Sequence, residues 1–176
     1  MSTTKDIHNE LIERCKKGDV KAQYSIFKEY SQAMYNISIR FMGNSMDAED
    51  VLQEAFVQAF QKLNTFRGES SFGNWLKRIV INRCISQLRR KKIHFEELNE
   101  STLIIEGEAE IEEKMDPDRV HKAIKELPEG ARTIINLFAL EGFKHKEIAR
   151  ILNITESTSK TQYFRAKQMI VEKLNK

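Results

Sequence analysis

The feature that most constrains this chain is the stretch from Glu141 to Lys167, because it asks for two short helices joined by a tight turn. Ile148, Ala149 and Leu152 share one apolar face, and Asn153 follows where the turn needs a residue that tolerates left-handed backbone. Thr155 is placed to cap the second helix, whose inward face carries Tyr163, Ala166 and Ile170. Its outward face carries Lys160, Thr161, Phe164, Arg165, Lys167 and Gln168. A basic, polar face on the second helix of a helix-turn-helix suits the major groove of DNA. A helical hairpin with a solvated polar face fits the same pattern. Ser159 falls on the inward side, where its hydroxyl is expected to bond back to the carbonyl of Thr155. A valine there is expected to fill the spot and stabilise by about 0.5–1.5 kcal/mol.

The remainder reads as helical too. Only 7 glycines and 2 prolines interrupt 176 residues, a length that allows one domain or two small ones. A helix is expected over 6–17, with Ile7, Leu11, Ile12 and Cys15 on one side, and Gly18-Asp19 breaks it. Ala22, Ile26, Tyr30, Ala33, Ile37 and Phe41 then recur at helical spacing up to Gly43-Asn44. The next helix starts at Asp47 and carries Leu52, Ala55, Phe56, Ala59, Phe60 and Leu63. A fourth begins near Ser71-Phe72 with Trp75, Leu76, Ile79, Val80 and Leu88. These helices have enough apolar surface to close one domain over residues 1–92.

From Glu96 to Asp118 the composition shifts to ten acidic residues against one basic, Lys114. That run reads as a linker over 93–116, with a short ordered piece at Leu103, Ile104 and Ile105. Asp116-Pro117 supplies a cap and a first-turn proline for the helix that ends near Leu127. Pro128 opens another, bearing Ile134, Ile135, Leu137, Phe138 and Leu140. With the helix-turn-helix it makes a second domain over 117–176. The fold class expected is therefore all-α: two small helical domains joined by an acidic linker.

Charge is uneven, although the formal net charge is only +3. Lys77, Arg78, Arg83, Arg89, Arg90, Lys91 and Lys92 make a second basic helix, with no acid among 77–92. Before it, Asn64-Thr65-Phe66-Arg67-Gly68-Glu69-Ser70-Ser71-Phe72 mixes aromatic, basic and small polar residues, and Trp75 follows one turn on. Aromatic platforms beside cations suit unstacked bases, and small polar donors suit a base swung out of the duplex. Alternatively Phe66, Phe72 and Trp75 are core, the expectation being that Phe72 or Trp75 is at least partly so.

The third helix opens Asp47-Ala48-Glu49-Asp50-Val51-Leu52-Gln53-Glu54. Acids at a helix start favour the macrodipole, which alone explains them. Asp50 and Glu54, four apart, could share a metal, yet no matching acidic-histidine set occurs elsewhere. His8, His94, His121 and His145 are scattered and read as surface residues. With no phosphate loop or activated nucleophile, the chain reads as no enzyme, with no cofactor and no metal. Cys15 and Cys84 lack metal-ligand spacing and suit a reducing cytoplasm. No secretion signal and no run of eighteen apolar residues is evident, so no membrane insertion is expected.

Over nearly its whole length the chain resembles bacterial RNA polymerase sigma factors of the extracytoplasmic-function class. The resemblance rests on Asp47-Ala48-Glu49-Asp50-Val51-x-Gln53-Glu54-x-Phe56, on Phe66-Arg67-Gly68-Glu69-Ser70 with Phe72-x-x-Trp75-Leu76-x-Arg78-Ile79-x-x-Asn82, and on Leu127-Pro128, Glu147-Ile148-Ala149 and Phe164-Arg165-Ala166-Lys167. It implies that Asp47, Glu49, Asp50, Gln53, Glu54 and Phe56 bind a coiled coil of the polymerase's largest subunit. Asn64, Phe66, Arg67, Ser70, Ser71 and Trp75 would read and melt the −10 element, helped by Arg78, Asn82, Arg83, Arg89 and Arg90. Lys144, Thr158, Lys160, Thr161, Phe164, Arg165 and Lys167 would read the −35 element. Its implied partners are core RNA polymerase, promoter DNA in double-stranded and melted form, and an anti-sigma factor. The sequence departs from the family at Ser157, where glycine is usual, at Ser159, where valine or a similar residue is usual, and at Gln162, where arginine is common. The alternative from another class is a stand-alone helix-turn-helix regulator, which would leave the motif at 47–56 and the second basic helix unused. A helical metal hydrolase built on Asp50 and Glu54 is a third reading.

Overall fold

Local signals set most of the helix boundaries. A computed structural model of the chain describes residues 4–91 and 116–175, with side chains from His8 onward. The expected linker at 93–116, with Leu103, Ile104 and Ile105, lies outside those residues apart from Asp116, as do Lys92 and His94. The chain divides into two compact units, Met1–Leu88 and Arg89–Lys176. Both are helical, and no strand occurs among the described residues. None of their helices is long and apolar enough to cross a membrane.

In the first unit α1 spans Thr4–Lys16 and buries Ile12 and Cys15. It stops at Gly18, whose φ of 82° is a left-handed value that a glycine adopts without a Cβ penalty. Asp19 then caps α2 (Val20–Met42), accepting from the Lys21 and Ala22 amides at 2.9 and 3.2 Å. Arg14 closes on the other carboxylate oxygen of Asp19 at 2.9 and 2.7 Å. On α2 the buried set is Ala22, Ile26, Met34, Ile37, Ser38, Phe41 and Met42. Ala33, expected inside, is exposed. A helix of 23 residues turns different faces to α1 and to α3, so one fixed stripe does not describe it.

Asn44 caps α3 (Ser45–Gln61) through the Asp47 amide, so the helix begins two residues before Asp47. Ala48, Val51, Leu52, Ala55, Phe56 and Ala59 make its buried stripe, and a 3-10 turn at Leu63–Thr65 follows. Helix α4 (Phe72–Arg90) buries Phe72, Leu76, Val80, Ile81, Cys84, Ile85 and Leu88, while Ile79 is only half-buried. Each fully buried side chain of Leu or Ile size contributes about 1.5–3 kcal/mol.

In the second unit Asp116 caps α5 (Pro117–Lys125), with the proline in the first turn as expected. Helix α6 covers Glu129–Ile135 and does not continue regularly. Asn136–Leu140 is a π-helical turn, closed by the Glu141 amide on the Asn136 carbonyl at 2.9 Å. The wider turn rotates the register. Leu137 is fully buried, Phe138 half-buried, and Leu140 is 39% exposed where a regular helix would have put it inside. Buried Arg132 donates to the Lys125 and Leu127 carbonyls, satisfying groups that the end of α5 leaves open. Helices α7 (His145–Leu152) and α8 (Glu156–Leu174) meet at Asn153, whose φ is 58°. Thr155 caps α8 through the Thr158 amide at 3.0 Å. Ala123, Ile124, Leu127, Ile135, Ala166, Ile170 and Leu174 close the core, with Tyr163 packed against it.

Candidate functional site

The charged residues of α3 are Asp47, Glu49, Asp50 and Glu54, with no basic residue in the helix. Its apolar stripe faces inward, so Glu49, Asp50, Gln53 and Glu54 are exposed while Asp47 is half-buried at the first turn. Phe56 stays with the apolar stripe on which its spacing placed it, and not with the exposed residues to which the resemblance assigned it. It is 4% exposed, its ring sits 4.8 Å from that of Phe27, and its place is in the core that holds α3. Two residues missed in the sequence share the outer face: Met46 and Val57 are 74% and 56% exposed. Arg83 reaches from α4 to pair with Glu54. Between these helices lies an open groove of about 440 Å3 lined by Gln53, Glu54, Val57, Gln58, Gln61 and Arg83.

The turn at 64–71 stands out because its aromatic neighbours are anchored. Phe72 is 3% exposed, and Phe66 and Trp75 pack on it at 5.6 and 5.5 Å between ring centres. Phe66 and Trp75 also meet each other at 5.4 Å, and both stay half-buried. Tyr30 and His8 back Phe72 at 5.3 and 5.8 Å, and the Tyr30 hydroxyl bonds His8 Nε2 at 3.1 Å. His8, expected on the surface, is thus a packed side chain. Asn64, Arg67, Ser70 and Ser71 are exposed around this cluster, and Gly68 turns the chain with φ 75°. The Ser71 hydroxyl accepts from the Asn74 amide at 3.3 Å. At 3.6 residues per turn, Trp75, Arg78, Asn82 and Arg89 fall along one side of α4. Arg78, Asn82, Arg89 and Arg90 are exposed, whereas Arg83 turns away toward Glu54.

On α8 the expected phasing holds for most residues. Ser159, Ala166 and Ile170 are buried and Tyr163 is half-buried, while Lys160 and Gln168 are exposed and Phe164, Arg165 and Lys167 partly so. Thr161 is a correction: it is only 7% exposed. Helical side chains lean toward the N-terminus, so Phe164 and Arg165, one turn on, overhang a short side chain at 161. Thr158 is engaged in the cap, its hydroxyl 2.7 Å from that of Thr155. Lys160 pairs with Glu156 at 2.9 Å and holds that carboxyl below its ordinary range. Lys144 is exposed, and its amide donates to the Glu147 carboxylate at 2.9 Å.

Sequence reasoning placed His145 on the surface, and the structure does not. The imidazole stacks on Phe138 at 4.2 Å, meets Tyr163 edge-on at 5.7 Å, and bonds the Ser159 hydroxyl through Nδ1 at 2.9 Å. Burial, with Lys160 nearby, pushes its pKa below the usual histidine value. The expected partner of Ser159, the Thr155 carbonyl, instead accepts the Ser159 amide. These groups come from three separate segments, and no periodicity in the sequence links them. Among the described residues no three His, Cys, Asp or Glu side chains converge as a metal site would require.

The family model for Sigma-70 region 2 matches residues 26–93, and that for Sigma-70, region 4 matches residues 118–170. An RNA polymerase sigma-H factor of Pseudomonas aeruginosa is 31% identical, with 95% of this chain and 93% of the relative covered. The ECF RNA polymerase sigma-E factor of Escherichia coli is 32% identical, over 93% of this chain and 92% of the relative. Among solved structures, the sigma factor RpoE bound to the anti-sigma factor NepR from Bartonella quintana is similar in fold. Its TM-score is 0.55 at 24% identity, over 89% of this chain and 98% of that one. CnrH, solved with the cytosolic domain of CnrY, gives a TM-score of 0.51 at 21% identity, over 94% of this chain and 95% of that one.

Proposed function

We infer the working parts of the molecule from the premise that the chain belongs to the sigma-70 family, in its extracytoplasmic-function class. It is a sigma factor: it binds core RNA polymerase and directs promoter-specific initiation of transcription. The family regulates transcription and is not enzymatic. We assign the outer face of α3 to core polymerase, with Asp50, Gln53 and Glu54 at its centre and Glu49 and the half-buried Asp47 toward its start. The observation that carries this assignment is a helix whose charged residues are all acidic and whose apolar stripe is used inside, leaving Glu49, Asp50 and Glu54 exposed, the last in its pair with Arg83.

The turn at 64–71, with Phe66 and Trp75 held by Phe72, is the proposed site for an unstacked −10 base. Arg78, Asn82, Arg89 and Arg90 extend it along α4, Arg89 and Arg90 as phosphate contacts. On α8, Phe164, Arg165, Lys167 and Lys160 are the proposed −35 readers, with Lys144 beside them and Thr158 serving the cap. Residues 1–92 and 117–176 are proposed as the two working domains. The acidic run at 93–116 would thread polymerase channels that are positively lined. An anti-sigma factor is a further proposed partner, supported by the complex with the anti-sigma factor NepR in which RpoE was solved. The cytoplasm is the proposed compartment, where the polymerase works.

The test is reversal of Asp50 and Glu54 to lysine together. Core-polymerase binding is expected to be lost while circular dichroism and melting temperature stay close to those of the parent chain. A variant that still binds core normally, or that unfolds, removes α3 from the polymerase surface. A stand-alone regulator would bind promoter DNA without core, so the same preparation mixed with DNA alone separates the two readings.

A further inference from the structure

Arg83 lies in the basic helix, yet its charge is already paired. Its guanidinium pairs with the Glu54 carboxylate across 29 positions of sequence, and its side chain is 25% exposed against 47% for Glu54. Trp75, Arg78, Asn82 and Arg89 follow one side of α4, and Arg83 sits about a quarter-turn or more from that line. On the other side of the pair, Val57 is 56% exposed and Gln53, Gln58 and Gln61 line the groove. A carboxylate has about four lone-pair sites, so one guanidinium leaves room for a second donor. A long side chain held at both ends loses less freedom on binding than one free to rotate.

We propose that Arg83 belongs to the polymerase-binding surface, where it is a positioning residue that holds the Glu54 carboxylate toward the groove, and not to the DNA-binding surface. This rests on the assignment of α3 to core polymerase. The occupant is a donor-bearing polymerase side chain that takes the remaining lone pairs of Glu54, with Val57 as its apolar contact. Lysine in place of Arg83 would keep the charge as a single point contact and hold Glu54 less firmly.

The experiment compares Arg83→Gln, Arg83→Lys, Glu54→Gln and Arg83→Gln/Glu54→Gln in the full chain. Affinity for core polymerase and the salt dependence of holoenzyme binding to promoter DNA are measured for each. Arg83→Gln is expected to weaken core binding by roughly tenfold, the scale of one hydrogen bond to a charged group. Arg83→Lys should recover most of it, the loss should vanish in the Glu54→Gln background, and the salt slope should stay unchanged. Unchanged core binding with a salt slope flatter by about one unit would return Arg83 to the DNA phosphates and overturn the proposal. An equal loss with and without Glu54 would also overturn it. If Glu54→Gln itself leaves core binding intact, the assignment of α3 fails first, and that outcome is distinct from the other two.

Discussion

At the scale of single residues, Ser159 shows how a correct placement can carry a wrong consequence. Its position inside the unit was legible from the spacing of Tyr163, Ala166 and Ile170, and it is fully buried. Its partner was not, because His145 arrives from another helix through a π-helical turn that no pattern announces. The expected gain from Ser159→Val therefore reverses. Valine would bury extra carbon but strand the imidazole Nδ1, a loss of about 1–3 kcal/mol that outweighs the added methyl surface. Denaturant melts of the full chain should show Ser159→Val destabilised by about 1 kcal/mol and Ser159→Thr closer to the parent. A gain for valine would mean the hydrogen bond contributes nothing. His145 adds a pH dependence with a definite sign. Its folded pKa is depressed, chiefly by burial, so its neutral form is favoured in the fold. The associated stability is complete above the ordinary histidine pKa and is lost as pH falls through the folded value. An NMR titration of the imidazole should give a midpoint below the ordinary value, and His145→Gln should flatten the stability profile across that window. Asp19 runs in the same direction at lower pH. Its hydrogen bond with Arg14, then the Ala22 amide, depresses its pKa, and the cap weakens as acid protonates it.

At the scale of elements, the helices were readable where caps and breakers are local. Asp19, Asp116, Asn153 and Thr155 perform in the structure the tasks their neighbours in sequence assign them. What escaped was anything set by a second element. Ala33 faces out because α2 serves two neighbours, and Leu140 because the π-helical turn rotates it, whereas the apolar stripe of α3 already placed Phe56 inside, against Phe27. Arg132 was not singled out at all, since a buried guanidinium serving carbonyls at the end of α5 looks in sequence like any surface arginine. Its replacement by methionine keeps much of the volume and removes those donors. Thermal melts are expected to show a loss of about 1–3 kcal/mol from the stranded carbonyls. No change would mean that water serves them equally well.

At the scale of the whole molecule, the proposed sites divide the labour. The acidic face of α3 would serve the polymerase, the aromatic turn with α4 melted DNA, and α8 duplex DNA. The two kinds of DNA contact should separate in binding isotherms of holoenzyme on promoter variants. Truncating Arg165 should cost about 1–3 kcal/mol with altered preference at one position, if it reads a base edge. Truncating Arg89 or Arg90 should weaken all sequences alike and flatten the salt dependence by about one unit each. A uniform, sequence-independent loss for Arg165 would remove it from the readers. The most direct measurement is run-off transcription with core polymerase on genomic fragments. Core alone should give no discrete transcripts, the added chain should give a small set with defined starts, and the chain with Asp50 and Glu54 reversed to lysine should give none while still folded. Transcripts that do not depend on the added chain, or that the folded variant supports equally well, would contradict the account.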